Sequence, residues 1–196
     1  MAKFTYRIAA RELMAKGWST LTRMTVEATD KSGKVHLLPR EVSDHGNGAS
    51  VLPIDPARGT VLLVKQWRAG AAFGGFDPWV MEACAGLLDS DDPEACVRRE
   101  AIEELGVKIS NVHHIVDCFS SPGALSERIS LFVAEYSEAD RLNQGGGLDQ
   151  EHEDIEVIEM PFKEALALMA KGGITDLKTI MLLQYLQLHD GAVPRS

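Results

Sequence analysis

The chain has 196 residues, 45% of them hydrophobic and 25% charged, which suits a folded domain with a sizeable core and leaves disordered or fibrous architectures without support. Its formal net charge of -9 argues against a surface built for nucleic acid or an anionic membrane, because such partners need basic patches that displace counterions. An acidic chain can still take a phosphorylated ligand through a bound cation or a local arginine.

Lys3 and Arg7 interrupt what would have to be the apolar core of a secretion signal, and no later stretch is long enough to cross a bilayer, so a cytoplasmic protein is expected. Strands are predicted at 20–28 and 34–42, joined by the turn Asp30-Lys31-Ser32-Gly33, with Pro39 marking an edge or an end. A second pair, 49–54 and 60–65, flanks the turn Asp55-Pro56-Ala57-Arg58-Gly59. A glycine-rich aromatic loop, 69–78, leads to the short strand 79–82 and a turn at Gly86. The clearest helix opens at Asp92-Pro93, where Asp92 can cap and Pro93 fits the first turn, and it leaves at Gly106. Strands at 112–118, 128–136 and 154–160 follow, the last after a long loop, 137–152, that contains Gly145-Gly146-Gly147. Helices at 162–171 and 176–189 close the chain. The mixed order predicts an α+β fold. Cys84, Cys96 and Cys118 lack the spacing of a zinc site or disulfide framework and are expected as ordinary buried thiols.

On the helix from Pro93 to Leu105, Glu100, Glu103 and Glu104 fall on one arc, while Val97, Ala101, Ile102 and Leu105 fall on another. Carboxylates four residues apart repel by roughly 0.2 to 0.5 kcal/mol unless something neutralises them. Arg99 can pair with Glu103, which leaves Glu100 and Glu104 as the pair best placed for a divalent ion. Magnesium suits them, since it prefers hard oxygen ligands and bridges carboxylates to phosphates. A solvated acidic face with intrahelical salt bridges is the plain alternative, and helix spacing alone leaves it open.

The stretch Gly86-Leu87-Leu88-Asp89-Ser90-Asp91-Asp92-Pro93-Glu94-Ala95-Cys96-Val97-Arg98-Arg99-Glu100-Ala101-Ile102-Glu103-Glu104-Leu105-Gly106-Val107 resembles the Nudix box. Its second half fits without a gap. In the first half Asp92 stands where the family has Glu, and the spacer before Arg99 is one residue short. The resemblance extends along the chain through Arg40-Glu41-Val42, Gly46-Asn47-Gly48-Ala49, Lys65-Gln66-Trp67-Arg68, Glu82-Ala83-Cys84-Ala85-Gly86-Leu87-Leu88-Asp89, Ser121-Pro122-Gly123, Ala134-Glu135-Tyr136-Ser137, Gly145-Gly146-Gly147 and Glu153-Asp154-Ile155-Glu156-Val157. It is closest to the branch of the superfamily that holds the bacterial GDP-mannose pyrophosphatases and the ADP-ribose pyrophosphatases.

The resemblance implies a Nudix fold, a mixed β-sheet sandwiched by helices over residues 46–196, with a β-strand segment at 1–45 exchanged between the subunits of a homodimer. It implies magnesium-dependent hydrolysis of the diphosphate of a nucleoside diphosphate sugar, GDP-mannose first, with manganese as a substitute ion. Metal ligation falls to the Ala85 carbonyl, Glu100, Glu104 and Glu153, and catalysis to Glu153, Glu103 and Glu104. Substrate contacts fall to Trp18, Pro39, Arg40, Glu41, Arg68, Ala85, Gly86, Leu87, Glu104, Glu127, His152, Glu153 and Lys178, with Trp18 and the 39–41 stretch reaching the partner's site.

Several of these residues have plainer readings. Glu153 is one acid among Asp149, Glu151 and Asp154, and Glu151 can take its role in a shifted register. Arg68 ends an apolar strand, where it can clamp a phosphate in a fork or lie on the surface. Trp18 can stack on a base or pack at an interface. Lys178 and Glu127 can simply be solvated. Two rival activities remain open on sequence: the same chemistry on ADP-ribose, and a silent Nudix-like nucleotide sensor.

Overall fold

A computed structural model describes residues 2–88, 92–148 and 154–194. The chain divides into two compact units, one of Met1–Asn47 with Phe119–Arg128, the other of Gly48–Cys118 with Ile129–Ser196. Among the described residues no helix is long and apolar enough to cross a membrane.

The smaller unit is an antiparallel meander of β1 (Phe4–Lys16), β2 (Thr20–Asp30) and β3 (Val35–Asp44). The predicted turn closes β2 onto β3: Asp30 Oδ1 accepts hydrogen bonds from the Ser32 N–H, the Ser32 hydroxyl and the Lys34 N–H at 2.6 to 3.0 Å. The Ser32 hydrogen bond is the main reason the Asp30 carboxyl falls to about 2. Pro39 lies in β3, an edge strand, where a missing N–H is tolerated. β1 was not anticipated from sequence. After Phe4 every residue of it is exposed, so it has no buried face and no apolar alternation to read.

The larger unit holds a seven-stranded mixed sheet. Its strands are β4 (Gly48–Asp55), β5 (Thr60–Trp67), β6 (Trp79–Glu82), β7 (Cys84–Leu87), β8 (Ser110–Phe119), β9 (Arg128–Glu135) and β10 (Ile155–Pro161), with β8 and β9 each running one residue into the smaller unit. The main path runs β10-β5-β4-β9-β8, with β4 parallel to β9. β4 and β5 pair only beside their turn, at Ile54↔Val61 and Asp55↔Thr60. Beyond that they part: β5 takes β6 as partner and β4 takes β7. The segment from Trp79 to Leu87 therefore fills an opening fork in the sheet.

Both faces of the sheet are covered, which is why β4 and β5 read as continuous apolar runs. Val51, Leu62 and Val64 point to one side, against Val97, Ala101 and Leu105 of the acidic helix segment. Leu52, Val61 and Leu63 point to the other, against Ala165, Leu182, Leu183 and Leu186. The second layer consists of α3 (Phe162–Ala170) and α4 (Leu177–Leu188). α1 (Ala69–Phe73) is a five-residue helix in the stretch read from sequence as a loop, too short for a periodic signal. Cys84 and Cys96 are buried thiols and Cys118 is partly buried.

The closed end of the fork carries a half-buried ionic network. Arg58 pairs with Asp55 at 2.7 Å and with Glu159 at 2.5 Å, Arg141 also pairs with Glu159, and the Tyr136 hydroxyl donates to the same carboxylate at 3.0 Å. Burial opposes the charge on Glu159, and the hydrogen bonds and arginines overcome it and hold its pKa below the usual carboxylate range.

Leu62 is fully buried in the interior strand β5. Leu62→Ala should cost about 2 to 5 kcal/mol of stability through the cavity it leaves, read from urea unfolding. A loss near zero would mean that this face of the sheet does not bear on the core.

Candidate active site

The acidic helix α2 spans Pro93–Glu103, with Glu104 as its C-terminal cap residue. Asp92 caps its start by accepting from the Glu94 and Ala95 N–H groups at 3.1 and 3.3 Å, and Pro93 opens the first turn. Cys96, Val97 and Ala101 are buried, and this anchored face fixes which way the carboxylates point.

Those carboxylates meet β7. The Ala85 N–H donates to Glu104 Oε2 at 3.2 Å. A Cβ placed on Gly86 would lie 2.0 Å from Glu100 Oε1. The turn expected at Gly86 is thus a strand position instead, paired with Ala49, and glycine is needed there so that backbone and carboxylate can touch. Glu104 is only 3% exposed. Arg99 lies 2.8 Å from Glu100 and 3.0 Å from Glu103, so it neutralises one more carboxylate than the spacing suggested. Burial, and after it the Glu104 charge, push the Cys84 thiol well above its usual pKa.

A second cluster stands at the mouth of the same fork. Arg68, following β5, forms a two-pronged pair with Glu82 at the end of β6, at 2.7 and 2.8 Å. Lys178, in the first turn of α4, donates to the same Glu82 at 3.2 Å and to Asp176 at 2.7 Å. Asp176 caps α4, accepting from the Thr179 N–H at 2.9 Å and its hydroxyl at 2.7 Å, and that hydroxyl in turn accepts from the Ala83 N–H at 2.7 Å. The cluster joins β6 to α4 and balances two cations against two carboxylates. Burial works against the charge on Lys178, and Asp176 and Glu82 carry its pKa above the ordinary lysine value. Burial likewise opposes the Arg68 charge, and Glu82 with help from Glu104 outweighs it.

Of the residues singled out from sequence, Ala85, Gly86, Glu100 and Glu104 come together, with Leu87 ending β7 beside them. Arg68 and Lys178 meet through Glu82. Glu103 faces Arg99. In the smaller unit Trp18 stands edge-on to His45 with ring centres 4.9 Å apart, and Glu127 lies 3.8 Å from His45 while accepting from Ser120 at 2.7 Å. Also in that unit, Arg40 donates to the Pro39 carbonyl and Glu41 pairs with Arg23. His152, Glu153 and the alternative Glu151 lie outside the described residues. Sequence reasoning assigned nothing to Glu82, Asp176 or His45. The one available signal for Glu82 was a carboxylate ending the apolar run Trp79-Val80-Met81, since a buried acid requires a partner.

Among the described residues no three His, Cys, Asp or Glu side chains converge as a ready metal cluster. Glu100 and Glu104 instead offer two hard carboxylates beside a strand backbone, a donor set that fits an ion which keeps several waters.

Residues 44–182 match the family model of the NUDIX domain, and the chain belongs to that family. It is 46% identical over 177 residues to the GDP-mannose pyrophosphatase of Klebsiella pneumoniae subsp. pneumoniae, covering 90% of this chain and 88% of that one. The GDP-mannose pyrophosphatase of Cronobacter sakazakii is 45% identical over 178 residues, with 90% and 92% covered. Among solved structures an ADP compounds hydrolase superposes with a TM-score of 0.72 at 16% identity, covering 98% of both chains, a likeness of fold.

The raised pKa of Lys178 makes a prediction at alkaline pH. The stability its charge contributes is complete below the unfolded lysine value, about 10.4, and is lost as pH rises through the higher folded value. Glu82→Gln removes one of the two carboxylates that raise it, so the alkaline fall in stability should be smaller in the variant and should finish at lower pH, from an unchanged onset. Superimposable curves of unfolding free energy against pH for variant and parent would refute the pairing.

Proposed function

We propose that this chain is a divalent-metal-dependent hydrolase that splits the diphosphate of a nucleoside diphosphate sugar, GDP-mannose, into GMP and mannose 1-phosphate. The observation that carries this reading is the Glu100 and Glu104 pair drawn onto the backbone of β7, with Glu104 bound by the Ala85 N–H. The relatives named GDP-mannose pyrophosphatase, similar over nine-tenths of the chain, supply the substrate.

Glu100, Glu104, Glu153 and the Ala85 carbonyl would hold magnesium, with manganese as a substitute. When bound, the ion neutralises charge on the diphosphate oxygens and lowers the pKa of a coordinated water. Glu153, with Glu103 and Glu104 as the alternatives on α2, orients the attacking water and takes its proton. The water oxygen bonds to phosphorus as the bridging P–O bond breaks, and the departing phosphate keeps the bridging oxygen. Arg68 and Lys178 favour the dianionic diphosphate. Glu82 already occupies Nε and Nη2 of Arg68, so its Nη1 is the prong that remains for an anion.

The same reading includes a homodimer whose Trp18, Pro39, Arg40, Glu41 and Glu127 contact nucleotide or sugar. Tyr6, Leu13 and Leu37 on the smaller sheet are more than half exposed, which supports a second copy as their cover. A solution mass of one chain by light scattering would remove this part of the proposal.

Glu104→Gln should lower turnover of GDP-mannose by at least about 100-fold, and a chelator should abolish turnover in the parent. A panel of nucleotide sugars read by product release decides the substrate: ADP-ribose turned over as well as GDP-mannose would overturn the choice of sugar nucleotide. A parent chain that binds nucleotide sugar without hydrolysing it would make this a sensor.

A further inference from the structure

The run Gly145-Gly146-Gly147 sits on the C-terminal end of α2. The Gly146 N–H donates to the Glu104 carbonyl at 2.8 Å and the Gly147 N–H to the Glu103 carbonyl at 3.2 Å. These are carbonyls that a helix end leaves without an intrahelical donor. The approach is tight from both sides. A Cβ on Gly145 would lie 2.3 Å from the Glu104 carbonyl oxygen, and one on Gly106 would lie 2.4 Å from the Asn143 carbonyl oxygen. The Leu142 and Asn143 N–H groups donate to the Gly106 carbonyl at 2.8 and 3.3 Å, and Asn143 Oδ1 accepts from the Gly145 N–H at 2.7 Å.

One glycine past the last turn suffices to end a helix, and Gly106 already serves that purpose at φ +69°. Here three further glycines follow in a row at φ +70°, +111° and +82°. Residues with a side chain rarely adopt that backbone even singly. What the run achieves is the closest possible contact between a loop and the last turn of the carboxylate helix. Upstream the loop is anchored by Arg141 on Glu159 and by the Lys108 N–H on the Asp140 carbonyl at 3.0 Å. Glu104 is thereby gripped twice, its carbonyl by Gly146 and its carboxylate by Ala85.

We propose that Gly145-Gly146-Gly147 is a positioning element of the hydrolytic site, fixing the last turn of α2 so that the Glu104 carboxylate is preset for a divalent cation. This rests on the metal-dependent reading given above.

The test is a calorimetric titration of the full chain with Mn²⁺ alone, no nucleotide present. Gly145→Ala forces a Cβ into the Glu104 carbonyl and should weaken Mn²⁺ binding about 10- to 100-fold, as loss of a group that orients a metal ligand does. In turnover of GDP-mannose, kcat and the Mg²⁺ requirement should move with it while KM for the sugar nucleotide stays near the parent value. Gly172→Ala is the control: Gly172 has φ +77°, yet a Cβ there meets nothing within 4 Å, so the backbone penalty comes without the contact and Mn²⁺ affinity should hold. If Gly145→Ala does not fold, Asn143→Ala, which only removes the acceptor for the Gly145 N–H, should weaken Mn²⁺ binding about 2- to 10-fold. Unchanged affinity in the folded variant, or an equal loss in Gly172→Ala, overturns the proposal. A parent that binds Mn²⁺ but leaves GDP-mannose intact overturns the substrate reading alone, and a parent that binds no Mn²⁺ overturns both.

Discussion

The contact between the carboxylates of α2 and the backbone of β7 is what the rest of the larger unit serves. Two acids one helical turn apart repel, and holding them together at low exposure needs hydrogen-bond donors beside them. The Ala85 N–H is one donor and Arg99 another, and the absence of a side chain at Gly86 lets Glu100 come close. β7 can present that backbone only because β4 and β5 separate after two paired residues and leave β4 a free edge. The parting of two strands therefore creates the place where the acids gather.

The Arg68, Glu82, Lys178 and Asp176 cluster solves a related problem with opposite sign. Two neighbouring, partly buried cations would be costly without counter-charges. Glu82 and Asp176 supply these from within, and the Thr179 hydroxyl joins Asp176 to the Ala83 N–H next to Glu82. The cations are thus held in place by the protein's own groups.

Much of this was legible in the sequence. The period of Val97, Ala101 and Leu105 against Glu100 and Glu104 identified α2 and its two faces, because helix spacing is a local property. The hairpin at Asp30 was legible for the same reason. β1 was not, since a strand exposed on both sides carries no alternation. Glu82 escaped because its partners, Arg68 and Lys178, lie 14 and 96 residues away, and the fold alone brings them near. Gly86 was read as a turn because sequence does not tell a glycine chosen for φ from one chosen for clearance. The glycine run in the loop after β9 stood out in the sequence, while the helix end it covers became visible only in three dimensions.

The ionic network at Arg58 and Glu159 gives the fork a closed end made of charges, and its open end carries a second set in Arg68, Glu82 and Lys178. Screening by dissolved salt weakens partly exposed ion pairs of this kind, and because the Arg58 and Arg68 side chains are similarly exposed, ionic strength bears on both ends of the fork and so on how firmly the sheet holds the segment between them.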